Sequence, residues 1–178
     1  MSISGKNKFF ARRRADYACE YCGVSEQNAG GELTIDHFRP QSKNGGDALD
    51  NLVYCCPRCN LYKGDFWVES PNAPQLWNPR RDTFERHFWQ GENGHLFALT
   101  ETGDLTIRIL KLNRPQLIEY RRQQFAQTEE RRLLEENEIA VEVLLKLNEE
   151  QREVIRTQQK LLTEQRQLLN YLLKNNQP

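Results

Sequence analysis

Two Cys-x-x-Cys pairs, Cys19 with Cys22 and Cys56 with Cys59, constrain this chain more than any other feature. Each pair can grip one face of a tetrahedral zinc ion through its thiolates. Thirty-three residues separate Cys22 from Cys56, a longer gap than the roughly 15–20 residues of a simple zinc ribbon. Metal binding would close that long loop, and in small zinc domains such binding contributes about 10–16 kcal/mol to folding. The fifth cysteine, Cys55, reads as a buried strand thiol, because the x-x spacing selects Cys56. Cysteines gathered in two short groups point to metal and not to disulfides, as expected of a reducing compartment.

The enclosed loop carries the polar residues of interest. Thr34-Ile35-Asp36-His37-Phe38-Arg39-Pro40 opens it, and Asn51-Leu52-Val53-Tyr54 leads back to the second cysteine pair and Asn60. Asp36 and Asn60 offer hard oxygen ligands that suit Mg²⁺ or Mn²⁺ better than zinc. Neighbours on a strand point to opposite faces, so Asp36 and His37 face one metal only if the strand bends or crosses the helix obliquely, a tension that eases if Asp36 reaches across to the helix bearing Asn60. His37 would then stand beside the ion, near its water or a phosphate.

Around this loop, residues 7 to 18 are expected to be helical, with Asn7 as N-cap. Residues 33 to 38 read as a strand stopping before Pro40, 41 to 50 as a glycine-containing loop, and 52 to 54 as a second strand. Pro57 suits the first position of a helix running to about Lys63. Residues 66 to 81, with Pro71, Pro74 and Pro79, are irregular. A helix from Asp82 to Trp89 follows, then a β-hairpin pairing residues 95 to 100 with 105 to 109 around Thr102-Gly103-Asp104, on the alternation of Leu105, Ile107 and Ile109. Beyond Asn113 the chain is rich in Glu, Gln, Arg and Leu. Asn113 starts one helix there, and Asn148-Glu149-Glu150-Gln151 resembles a capping box for a second. Val154, Leu161, Leu168 and Ile155, Leu162, Leu169 recur every seven residues, the mark of a packed helical hairpin or coiled coil. Three regions result: a zinc-stabilised core over 1–65, a supporting helix and hairpin over 66–112, and a helical tail over 113–178.

Lysine plus arginine equals aspartate plus glutamate at 25 each, so no overall positive field draws the chain to nucleic acid. Local charge differs: Lys6, Lys8, Arg12, Arg13 and Arg14 have no acid among them, whereas residues 129 to 153 are strongly acidic. No apolar run approaches the ~20 residues of a membrane span, and no signal-peptide core is present. A soluble, cytoplasmic protein without membrane contact is expected.

The quoted strings resemble the HNH endonuclease family. Asp36-His37 match its first signature position, Asn51 the middle asparagine and Asn60 the last, where asparagine often replaces histidine. Gly45-Gly46, the second cysteine pair and Lys63-Gly64 also fall in place. Asn78-Pro79-Arg80, His87-Phe88 and Leu112-Asn113-Arg114 resemble a set found in some of its members. The resemblance implies an α+β fold: a small ββα-metal core of the His-Me finger type with a structural zinc, a β-hairpin extension and a long C-terminal helical region. It implies that His37 is the general base and that Asp36 and Asn60 hold one Mg²⁺ or Mn²⁺ ion. Asn51 would fasten the loop and orient His37, and Cys19, Cys22, Cys56 and Cys59 would hold zinc. Arg39, Lys43, Arg58 and Lys63 are placed to neutralise phosphates of DNA or RNA. The helical tail would serve a homodimer or a protein partner. The alternative is a zinc module that binds nucleic acid or protein and does not cut.

Overall fold

The computed structural model describes residues 3–70 and 72–175, with side chains up to residue 172. Its helices are α1 Gly5–Arg14, α2 Glu26–Ala29, α3 Pro57–Lys63, α4 Phe84–His87, α5 Glu101–Ile109 and α6 Pro115–Asn175. Its strands are β1 Thr34–His37, β2 Leu52–Cys55, β3 Phe88–Gln90 and β4 Leu96–Ala98. The fold is α+β, with two small antiparallel hairpins and a long C-terminal helix. Backbone packing divides it into two compact units, Met1–Ala126 and Gln127–Pro178.

The first hairpin pairs Thr34 with Cys55, Ile35 with Tyr54, Asp36 with Val53 and His37 with Leu52. That register puts Thr34, Asp36, Val53 and Cys55 on one face and Ile35, His37, Leu52 and Tyr54 on the other. Helix α3 covers the first face: Asn60 Nδ2 lies 3.5 Å from Thr34 Oγ1, and Lys63 Nζ lies 2.9 Å from Asp36 Oδ2. Helix α1 lies on the side of Tyr54. Its Arg12 grips Glu26 at 2.6 and 2.7 Å, and Glu26 in turn accepts the Tyr54 hydroxyl proton. The hairpin is therefore sandwiched between the two helices.

Several local expectations are corrected. Helix α1 starts earlier, because Ser4 Oγ caps it by accepting from Asn7 N at 3.2 Å. It also ends earlier, since Asp16 and Tyr17 adopt positive φ. The segment between the first cysteine pair and β1 forms the single turn α2, capped by Ser25. The helix expected to run from Asp82 to Trp89 is only α4, with Thr83 at its N-cap position, and Phe88 already belongs to β3.

The second hairpin joins β3 to β4, pairing Trp89 with Phe97, and not residues 95–100 to 105–109. Residues 101–109 are helical instead. Thr100 Oγ1 accepts from Gly103 N at 3.1 Å, and Glu101 and Asp104 occupy the first turn, where acids favour a helix. These signals override the alternation of Leu105, Ile107 and Ile109. Gly103 is required there, since a Cβ would lie 2.2 Å from His87 O.

Of the helical hairpin or coiled coil expected beyond Asn113, the hairpin is not formed among the described residues. Helix α6 runs unbroken through Asn148 to Asn175.

Candidate active site and metal centre

The four-cysteine frame is assembled as the spacing requires. The sulfurs of Cys19, Cys22, Cys56 and Cys59 lie within 4.8 Å of one another, all buried, with Cys22 and Cys56 Sγ 3.8 Å apart. Sulfurs at ~2.3 Å from one tetrahedral zinc stand about 3.8 Å apart, so the donor set fits that ion. Cys56 is also the N-cap of α3, and Cys59 N donates to its sulfur at 3.4 Å. Hydrogen bonds from the neighbouring thiols hold Cys56 well below the ordinary thiol range. Cys55 stays outside the cluster. Burial pushes its thiol up, as befits a neutral strand residue.

The set Asn78-Pro79-Arg80, His87-Phe88 and Leu112-Asn113-Arg114 acquires structural roles. Glu20, inside the first cysteine pair, has a side chain only 3% exposed and receives Arg80 Nη2 at 2.6 Å, Arg14 Nη2 at 3.2 Å and Tyr54 N at 2.8 Å. His87 is held by Asp82 at 2.8 Å and by Thr100 at 2.6 Å. Asn113 clamps both backbone groups of Leu96. Arg114 Nη2 approaches Cys59 Sγ at 3.9 Å, and the Tyr120 hydroxyl donates to Gly23 O at 3.1 Å. The start of α6 is thus bound to the four-cysteine cluster. A guanidinium beside four sulfurs favours their thiolate forms.

On the face toward α3, Asp36 stands on β1 and Asn60 on the helix that covers it. Lys63 intervenes. Expected among the phosphate contacts, it is instead buried, with Nζ 2.9 Å from Asp36 Oδ2 and 2.8 Å from His37 O. Burial pushes the Asp36 carboxyl up, and the Lys63 ammonium opposes that shift. The seam already accommodates one positive charge.

His37 turns to the other face. Its Nε2 lies 2.7 Å from Asp47 Oδ1, and Gln41 Nε2 donates to the same oxygen at 3.1 Å. The His37 contact holds the Asp47 carboxyl below its ordinary value. The Asn51 side chain forms no hydrogen bond with His37. Its Oδ1 accepts from Arg39 N at 2.8 Å, and its Nδ2 donates to Arg39 O at 3.1 Å and Gly46 O at 2.8 Å. It fastens the loop, while the orienting contact expected of it is made by Asp47. The only advance signal for Asp47 was an acid directly after Gly45-Gly46. Gly45 allows the loop to close, since a Cβ there would lie 1.7 Å from Arg39 O.

Of the other candidate phosphate contacts, Arg58 is exposed at the start of α3. Arg39 lies over Trp67 and donates to Lys43 O at 2.6 Å, and Lys43 pairs with Glu69 at 3.4 Å. Among the described residues no helix is long and apolar enough to cross a membrane.

A sequence profile of the HNH endonuclease family matches residues 19–66. Septu protein PtuA of Bacillus mycoides (strain KBAB4) is 30% identical over 147 residues, an alignment taking in 66% of this chain and 20% of that protein. The chain therefore spans about one fifth of the length of the curated relative it matches. No solved structure matches it. From the matched segment, with its antiparallel hairpin, its following helix and four cysteines positioned to hold a metal ion, residues 19–66 are identified as a module of the HNH endonuclease family.

Proposed function

We propose that the module hydrolyses phosphodiester bonds of DNA, with His37 as general base. The observation that carries this reading is the Asp47–His37 pair at the end of β1, one residue from Asp36. An Asp47 oxygen accepting from Nε2–H leaves Nδ1 of the imidazole free to take a proton from an attacking water. Asp36 and Asn60 would hold one Mg²⁺ or Mn²⁺ ion, with Lys63 releasing Asp36. Such a cation polarises the scissile phosphate and stabilises the leaving oxygen. Asp36 and His37 are the last two residues of β1 but point to opposite faces, so the scissile phosphodiester would have to pass around the strand end to meet both. Asn51 maintains the loop that presents Asp47, and exposed Arg58 offers a phosphate contact.

The test is nicking of plasmid DNA in Mg²⁺ or Mn²⁺. Wild-type protein should cut, and His37→Ala should abolish cutting while the zinc content stays unchanged. Undiminished cleavage by the mutant would rule out His37 as the base.

A reading without catalysis is favoured by the Lys63 ammonium on Asp36. In that case the pair is permanent, and the module binds nucleic acid or a protein on its zinc scaffold. Tight binding with no turnover in either cation would support it.

The helical tail supports a further element of the reading, self-association or docking to a protein. Val154, Ile155, Leu161, Leu162, Leu168, Leu169 and Leu172 are all about half exposed or more and recur along one side of α6. A helix this long with an exposed apolar stripe gains its stability from a packed neighbour. Gln158 and Gln165 interrupt the stripe, and polar residues at core positions restrict register and oligomeric state.

A further inference from the structure

The first helix carries a surface that neither the zinc frame nor the hairpin uses. Phe9 and Phe10 are 53% and 45% exposed, edge to face at 5.8 Å. Each has a cation beside it: Arg13 lies 5.7 Å from the Phe9 ring centroid, and Lys6 lies 6.0 Å from that of Phe10. Arg12 and Arg14 are committed to Glu26 and Glu20. Among the described residues Lys6, Lys8 and Arg13 are exposed and form no ion pair with a carboxylate. Two exposed aromatic rings among unpaired cations have no role in holding α1 to the core.

The helix is tied to the candidate active site. Asn7 Nδ2 donates to Asp47 O at 3.0 Å, so α1 is fastened to the residue that holds His37. Lys8 of the same helix and His37 both line a cleft of about 460 Å³, together with Ile3, Ile35 and Tyr54. Glu32 also borders it and is engaged by Arg12 at 3.5 Å. An exposed ring can stack on a base only where that base is not paired inside a duplex, and every base offers a face for such stacking.

We propose that α1 is a platform for single-stranded nucleic acid: unpaired bases stack on Phe9 and Phe10, and the backbone runs past Lys8 into the cleft holding His37. This deepens the nuclease reading and rests on it. Arg13 and Lys6 lie close enough to the rings to take the phosphates of the stacked nucleotides, as charge complementarity requires. A duplex keeps its bases stacked inside and gains nothing from the rings.

The test uses full-length, zinc-loaded protein without added divalent cations, so that nothing is cut. Fluorescence anisotropy is read with a labelled oligothymidylate of about 20 nucleotides and with a duplex of the same length. The Phe9→Ala/Phe10→Ala variant, checked for an unchanged circular dichroism spectrum, should bind the single strand about tenfold to a hundredfold more weakly. Its duplex affinity should not change. Lys8→Ala should flatten the salt dependence of single-strand binding by roughly 0.7 in log–log slope.

Unchanged single-strand affinity in the double variant overturns the platform, as does an equal loss on both nucleic acids. If wild-type protein still nicks plasmid, the nuclease reading survives that result. Wild-type protein that neither binds nor cuts nucleic acid removes both. Anionic phosphatidylserine vesicles that bind more tightly than the oligonucleotide, and only with the two rings present, would assign this face to lipid and overturn it too.

Discussion

Asp47 Oδ1 and His37 Nε2 lie 2.7 Å apart although ten positions separate them in the loop after β1. Two small features close that loop: the three Asn51 hydrogen bonds and the absence of a side chain at Gly45. The candidate base is thus aimed by a residue that neither strand contains. Replacing Asp47 by Asn removes the charge that favours one imidazole tautomer and preserves the shape. If the nuclease reading is correct, Asp47→Asn should slow cleavage by about 10²-fold or more, measured by plasmid nicking, with thermal stability nearly unchanged.

Gly45→Ala attacks the same arrangement through the backbone. Its Cβ would sit 1.7 Å from Arg39 O, so the loop must open and carry Asp47 away from His37. Cleavage should fall as far as in Asp47→Asn, while zinc content measured by atomic absorption remains one ion per chain.

Lys63 and Asp36 form a buried ion pair, with side chains 0% and 13% exposed. Removing one partner of such a pair leaves an uncompensated buried charge and costs about 3–5 kcal/mol. Urea unfolding of Lys63→Met should show a loss of that order. The double variant Lys63→Met/Asp36→Leu should recover most of it, because no charge is then stranded.

The contact linking α1 and α2 to the hairpin governs stability at both ends of the pH scale. Arg12, and after it the Tyr54 hydroxyl, hold the Glu26 carboxyl below its ordinary value. A lowered carboxyl stabilises the fold above its unfolded pKa and loses that contribution as pH falls through its folded one. Burial, with Glu26 beside it, pushes Tyr54 up to about 12. That phenol contributes below its ordinary value of ~10, and the contribution disappears as pH rises toward 12. Glu26→Gln should therefore flatten the acid limb of a melting-temperature profile, and Tyr54→Phe the alkaline limb.

The tail calls for a mass measurement. The first turns of α6 belong to the zinc unit through Arg114 and Tyr120, so a chain ending at Ala126 keeps those contacts and loses the exposed stripe. Light scattering after size exclusion should show the full chain associated and the shortened chain monomeric. Equal monomer masses would remove self-association through the tail.

From the residues alone, the zinc frame and the order strand, loop, strand, helix were determined. Cysteine spacing and strand alternation are local rules, and local rules survive folding. The same alternation by itself separates Asp36 from His37. Where two local signals competed, packing decided. Leu105, Ile107 and Ile109 alternate like a strand, but the Thr100 cap and the fit of Gly103 against His87 O made that segment a helix. Only the tertiary structure could show Asp47 bound to His37, Lys63 withdrawn onto Asp36, or Arg114 beside Cys59. Each is a contact between residues 10 to 55 positions apart. No local pattern encodes such meetings: they follow from how the loop closes and from which charges burial leaves without water.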